Sequence, residues 1–328
     1  MTRDPVRRGL RLPSGTPARV AGAFIIAALL HLAGMAMIEG YSAAFAVRAM
    51  LVIASLLAVA SIGQTLVVII GGIDLSIPFV IGFANVVAAQ LYGEGYPFVF
   101  VALLVGVLAL AIGALNGALS AGLKIHPLIV TLGVGTVVQG AVLLWTGGFP
   151  SGSAPDAVSS FVSIGGSAGP LPVPWLVPSF IVLAALVILA LARTPFGRRL
   201  YALGSNPGAA PLALIRPVAM WTATFALSAL FAALAGVLLL GFTGSAYGAV
   251  GEPYLFQTIA AVVIGGTALV GGRGSYLGTV AGALVLTELN TLLIGLGLQP
   301  ATVQAALGLV IIALVSLYGR EGHVRTTI

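Results

Sequence analysis

Long apolar runs separated by short polar interruptions divide the chain into ten segments of about 20 residues, the length needed to cross a bilayer as a helix. They cover roughly 20–38, 47–70, 74–92, 98–120, 126–146, 176–193, 218–241, 255–270, 276–292 and 301–317. The pattern predicts an all-α polytopic membrane protein with about ten transmembrane helices. One interruption differs from the rest. The run from Gln64 ends in Gly71-Gly72-Ile73-Asp74-Leu75-Ser76, and the next run begins at once. An aspartate facing lipid at the bilayer centre costs about 2.5–3.5 kcal/mol on insertion scales. Paired glycines at 71 and 72, one residue removed from it, free the backbone from helical geometry. This combination predicts a helix break beside a polar site.

Composition narrows the class. The chain is 59% hydrophobic and 7% charged, whereas soluble domains carry about 25% charged residues, so a soluble globular protein is excluded. Its net charge of +6 does not indicate nucleic acid, because the basic residues form no single binding face. Five arginines (Arg3, Arg7, Arg8, Arg11 and Arg19) precede the first apolar run. An Arg-rich start before an apolar stretch also fits a secretory signal, but segment 20–38 is long enough to span and is expected to be retained.

With the N-terminus in the cytoplasm and sides alternating, Lys124, Arg193, Arg198, Arg199, Arg216, Arg273, Arg320 and Arg325 all fall inside; only Arg48 is misplaced. That agrees with the positive-inside bias. The organisation expected is a cytoplasmic tail over 1–19, one transmembrane domain over 20–318 and a cytoplasmic tail over 319–328. Residues 147–175 form an external Gly/Ser/Pro-rich connection with Trp175 as an interfacial anchor, and 194–217 form the largest internal loop. There is no cysteine, and His31, His126 and His323 lack metal-ligand spacing, so neither a thiolate nor a histidine metal site is expected. No Gly-x-x-x-x-Gly-Lys-Ser/Thr sequence is present, which rules out P-loop ATP binding by this chain itself.

The break at 71–76 has an echo. Residues 257–266 form a second apolar run that leads to Gly271-Gly272-Arg273-Gly274-Ser275. Paired Gly-interrupted segments point to a repeat-built transporter, here an inverted pseudo-repeat. Asp74 and Arg273 then either pair at an inner gate or sit as two unrelated, solvated interfacial charges. Gly113 and Gly117, and Gly274, Gly278 and Gly282, recur every fourth residue. Such stripes let helix backbones approach closely, within the subunit or at a dimer seam. Gln64, Asn85, Asn116, Thr131 and Asn290 lie inside apolar runs; they line a path for a hydroxylated solute or hydrogen-bond between helices. Glu288, near the outer end of its run, is expected to snorkel to the interface. The internal loop, with its small residues from Gly197 to Ala210 and an Asn206-Pro207 start, suits a short helix that docks into a partner.

At these residues a family resemblance emerges. Gly71-Gly72-Ile73-Asp74-Leu75-Ser76 resembles the signature of permease subunits of bacterial sugar ABC importers of the ribose, xylose and arabinose type. Three further blocks agree in order and spacing: 115–117 with 124–133, 197–210, and 260–275. The resemblance implies a non-enzymatic translocation subunit in the bacterial inner membrane, paired with a second permease subunit as a homodimer or heterodimer. Separate ABC ATPase subunits would carry ATP and magnesium, a periplasmic binding protein would deliver a monosaccharide or related polyol, and this chain would hold no cofactor. It assigns ATPase coupling to Gly197, Arg198, Gly204, Asn206, Ala209 and Ala210. The charge placement and the echo between the two breaks, and not the resemblance, suggest a gate or hinge at Gly71, Gly72, Asp74 and Ser76 with Gly271, Gly272 and Arg273. A nucleoside or autoinducer importer on the same scaffold is the nearest alternative, and an ion-coupled secondary transporter a more distant one. Pro78, His126, Gln139, Pro211 and Leu214 depart from the family pattern.

Overall fold

The computed structural model describes residues 16–318, and within them the chain is built of helices. In chain order these are α1 (Thr16–Met37), α2 (Ala44–Ile69), α3 (Ile77–Gly93), α4 (Phe98–Gly122), α5 (Pro127–Thr146), α6 (Asp156–Val162) and α7 (Leu176–Arg193). There follow α8 (Pro195–Ser205), a 3-10 turn (Ala210–Ala213), α9 (Pro217–Thr243), α10 (Tyr254–Ile264), α11 (Tyr276–Gly295) and α12 (Pro300–Tyr318). Seven of them, α1, α2, α4, α5, α7, α9 and α11, are long and apolar enough to cross a membrane. With the apolar helices α3, α10 and α12 they account for the ten segments read from the sequence. The tails over 1–15 and 319–328 lie outside the described residues.

A helix that is apolar on every side belongs in an interior, and α2 follows that rule: every residue from Ala54 to Ile69 is buried. Around it pack α9, α11, α10 and α7. The 27-residue α9 is the second axis, against which α2, α3, α4 and α6 lie. Glycines set these distances. A Cβ at Gly113 or Gly117 of α4 would collide with the α9 backbone at Phe225 and Trp221, and one at Gly63 of α2 would meet Ser228 of α9. The stripe at Gly274, Gly278 and Gly282 packs against Thr267, Gly265 and Ala261 respectively. It is consumed within the subunit, seating α11 on α10, and does not form a dimer seam.

Two segments are shorter than the sequence reading. Segment 74–92 begins helix only at Ile77, because Asp74, Leu75 and Ser76 form the turn that enters α3. Segment 255–270 is helical only to Ile264. The chain turns away there at Gly265-Gly266, with Gly266 at φ +84°, and runs irregularly to Ser275. Residues 147–175 carry α6, whose Val158 sits where a Cβ on Gly241 of α9 would be. Backbone bonds from Ala154 N to Gly244 O (3.2 Å) and from Ala246 N to Gly152 O (3.3 Å) fasten this connection to the end of α9.

Glu288 of α11 does not snorkel. It is 9% exposed: Tyr41 Oη donates to its Oε2 at 2.9 Å, and His31 Nδ1 lies 3.2 Å from its Oε1. Burial, then the bond to Glu288 and its neighbouring charge, raise the Tyr41 hydroxyl above its ordinary value, so it remains a donor at neutral pH.

Candidate functional site

The Gly71–Ser76 break is a polar knot enclosed by apolar helices. Gly71, at φ +92°, takes a conformation open to glycine and turns the chain out of α2. Asp74 is 2% exposed. Its Oδ1 accepts from Ser76 N at 2.9 Å and from Ser76 Oγ at 2.6 Å, the local turn that aspartate commonly makes with the residue two positions on. Its Oδ2 accepts from Ser228 Oγ of α9 at 2.7 Å. Ser76 Oγ in turn accepts from Asn116 Nδ2 of α4 at 2.9 Å, and Leu75 N donates to Thr131 Oγ1 of α5 at 3.0 Å. One six-residue break thereby ties α2 and α3 to α4, α5 and α9. Buried polar groups are costly unless hydrogen-bonded, and here both carboxylate oxygens have partners.

The Gly271-Gly272-Arg273 break lies directly against the first. A Cβ on Gly271 would come within 3.0 Å of Gly71 Cα, and Gly272 N donates to Ile69 O at 2.8 Å. A helix leaves its last carbonyls without internal partners; the second break supplies one for the end of α2. Arg273 itself is exposed. Both oxygens of Asp74 are taken by serines, so the ion pair between Asp74 and Arg273 does not form, and Asp74 is no solvated interfacial charge either. The echo between the two segments is instead realised as backbone contact.

The third element of this junction is α8. Thr194 caps it, accepting from Gly197 N at 3.2 Å through Oγ1, and Pro195 occupies its first turn, both favoured at helix starts. Gly197, Leu200, Leu203 and Gly204 form its buried face. Gly204 rests on Ile69 O, and a Cβ there would also reach to 2.8 Å from Gly272 N. Tyr201 Oη donates to Gly274 O at 2.9 Å, and Ser205 Oγ to Gly272 O at 3.4 Å. One short helix outside the main bundle therefore grips both breaks.

The residues to which the resemblance assigns coupling divide accordingly. Gly197, packed on the Leu191 backbone, and Gly204 are buried. Arg198 is exposed and donates to Arg193 O at 3.1 Å. Asn206 Oδ1 accepts from Ala209 N at 3.0 Å, shaping the turn; Ala209 is exposed and Ala210 buried. Two leucines of this loop stand out, Leu214, which departs from the family pattern, and Leu212, which the sequence did not single out. Leu212 and Leu214 are 87% and 91% exposed, and Leu214 holds φ +59°, a left-handed conformation uncommon for a branched side chain. For Leu212 the only signal was a leucine in a loop dominated by small and polar residues.

The candidate lining residues do not form one set. Asn116 and Thr131 belong to the Asp74 knot. Asn85 Oδ1 accepts from Tyr247 N at 2.8 Å and its Nδ2 approaches Gly236 O at 3.4 Å. Gln64 is fully buried with neither amide atom hydrogen-bonded among the described residues. Asn290 lines a cavity bounded by α10, α11 and α12.

Comparison with known proteins places this architecture. The ribose import permease protein RbsC of Haemophilus influenzae is 35% identical over 238 residues, 72% of this chain and 73% of that one. The autoinducer 2 import system permease protein LsrC of Shigella flexneri is 36% identical over 273 residues, 81% and 77%. The fructose import permease protein FrcC of Rhizobium meliloti is 32% identical over 303 residues, 89% and 83%. No solved structure matches the chain. Residues 46–315 match the family described as the permease component of the branched-chain amino acid transport system, from α2 to α12 with both breaks and α8 inside the match, and the chain is a multi-pass membrane permease of that family.

Proposed function

We propose that this chain is the membrane subunit of an ATP-driven importer for a monosaccharide or related polyol. A binding protein delivers the solute from outside, a second permease subunit completes the pathway, and a separate cytoplasmic ATPase supplies ATP and magnesium. The observation that carries this reading is the grip of α8 on both helix breaks through Ile69 O, Gly272 and Gly274. A rigid element displaced by a partner moves what it is packed on, because packed contacts switch between arrangements and do not deform continuously. Leu212 and Leu214 supply an exposed apolar tip beside α8, of the kind that marks a protein contact. In this reading the tip enters a groove on the ATPase, and the positive-inside bias sets α8 and both termini in the cytoplasm.

The kinship with ribose and fructose permeases supports a sugar. The comparable identity to an autoinducer 2 permease favours that solute as the second reading. The test is reconstitution of the full importer in proteoliposomes with labelled ribose, fructose and autoinducer 2. Uptake should require ATP and the binding protein; uptake abolished by an ionophore and indifferent to ATP depletion would overturn the assignment. The double variant Leu212→Asp/Leu214→Asp should lower ATPase co-purification at least about tenfold, since fully burying one leucine contributes about 1.5–3 kcal/mol. Unchanged co-purification would place the ATPase contact elsewhere.

A further inference from the structure

At the end of the bundle away from α8, helices α10, α11 and α12 enclose an open cavity of about 460 Å³. Asn290 stands fourteen residues along α11 from Tyr276, roughly 20 Å from the breaks at 1.5 Å per residue. The volume falls within the about 300–1,000 Å³ typical of small-molecule sites. Four polar side chains face it: Glu252 at the entrance to α10, Gln257 of α10, Asn290 of α11 and Gln304 of α12. None of the four side chains hydrogen-bonds or ion-pairs with another described residue. Phe256, 61% exposed, presents its ring to the same space.

This combination suits neither lipid nor helix packing. Lipid tails offer nothing to a carboxamide, and intramembrane amides normally find partners across a helix contact. Each carboxamide here offers two donors and a carbonyl acceptor, and these remain unused around one shared volume. A hydroxyl is both donor and acceptor, so a compact molecule bearing several hydroxyls satisfies such groups in either sense. The Phe256 ring supplies an apolar surface for the C–H side of such a molecule. The wall contains no Lys or Arg, and Glu252 repels anions, which selects against phosphorylated or carboxylated relatives.

We infer that this cavity is an outer vestibule that takes a neutral polyhydroxylated solute from the binding protein, held by Gln257, Asn290 and Gln304 over Phe256. The inference rests on the importer reading and adds to it a place and a charge preference. The absence of cysteine from the chain makes a direct test available. In the full importer complex, the single variants Asn290→Cys and Gln304→Cys are modified with a membrane-impermeant thiol reagent, with and without D-ribose, D-fructose or glycerol; ribose 5-phosphate is the anionic control. At least one neutral solute should slow modification at least fivefold at both positions, with ribose 5-phosphate ineffective. The double variant Asn290→Leu/Gln304→Leu should lower ATP-driven uptake at least tenfold while still co-purifying with the ATPase. Protection by a neutral solute without ATP-driven uptake would support the site and remove the importer reading. ATP-driven uptake with modification rates indifferent to every neutral solute would overturn the site and leave that reading standing. Spontaneous cross-linking of Gln304→Cys between two copies would also overturn it, because a second subunit would then fill the cavity.

Discussion

The two helix breaks share a sequence rhythm and have opposite surroundings. At 71–76 the charged residue is acidic, buried and bonded to Ser76 and Ser228, with Asn116 and Thr131 completing the enclosure. At 271–275 the charged residue is basic and exposed, and the contacts run through backbone to Ile69 and α8. The first break is held by side chains converging from several helices. The second is held through backbone, by the bond from Gly272 N to Ile69 O at the end of α2 and by Tyr201 and Ser205 of α8.

Substitutions at the two breaks should differ in effect. The largest effect is expected from Asp74→Leu, which removes the acceptor for three hydrogen bonds. Bonds to charged groups contribute about 1.5–3 kcal/mol each, so the variant should fail to accumulate or should melt far below the wild type in detergent. Asp74→Asn keeps the shape and retains an acceptor for Ser76, and should recover most of that stability; equal melting of the two variants would dissolve the picture of a break held by side chains. Gly204→Ala comes next. Its Cβ would enter the space of Ile69 O and Gly272, and overpacking typically costs about 1–3 kcal/mol. Its signature should be ATP hydrolysis retained with uptake reduced at least about tenfold. Tyr201→Phe removes one bond to Gly274, worth about 1 kcal/mol, and should weaken uptake more than it lowers the melting temperature. Arg273→Gln should be the mildest, within about 0.5 kcal/mol in stability, as for other exposed positions away from special contacts. A large loss of stability there would mean that the second break is also held by its charge.

Much of this architecture is legible in the sequence, because apolar runs and paired glycines are local signals. Ten segments and two breaks follow from spacing alone, whereas the short helix expected to start at Asn206-Pro207 is instead α8, which starts at Pro195 under the Thr194 cap and ends at Ser205. What the chain does not announce is which segments meet. The Asp74 carboxylate could as well have been read against Arg273, since charge suggests a partner more strongly than two serines do. Its real partner Ser228 lies on α9, brought there by the close approach of Gly63. Likewise the glycines at 274, 278 and 282 look the same whether they face α10 or another subunit. Only their fit against Thr267, Gly265 and Ala261 decides it.

The anchoring of Glu288 bears on how little of this protein can be removed. The family match begins at residue 46, after α1 and the turn that follows it, yet His31 and Tyr41 both come from that earlier stretch. A chain trimmed to the matched core would strand a carboxylate in the bilayer without donors, at the several-kcal/mol cost of an unsatisfied intramembrane charge. The first helix is therefore better regarded as a solvent shield for α11 than as a membrane address.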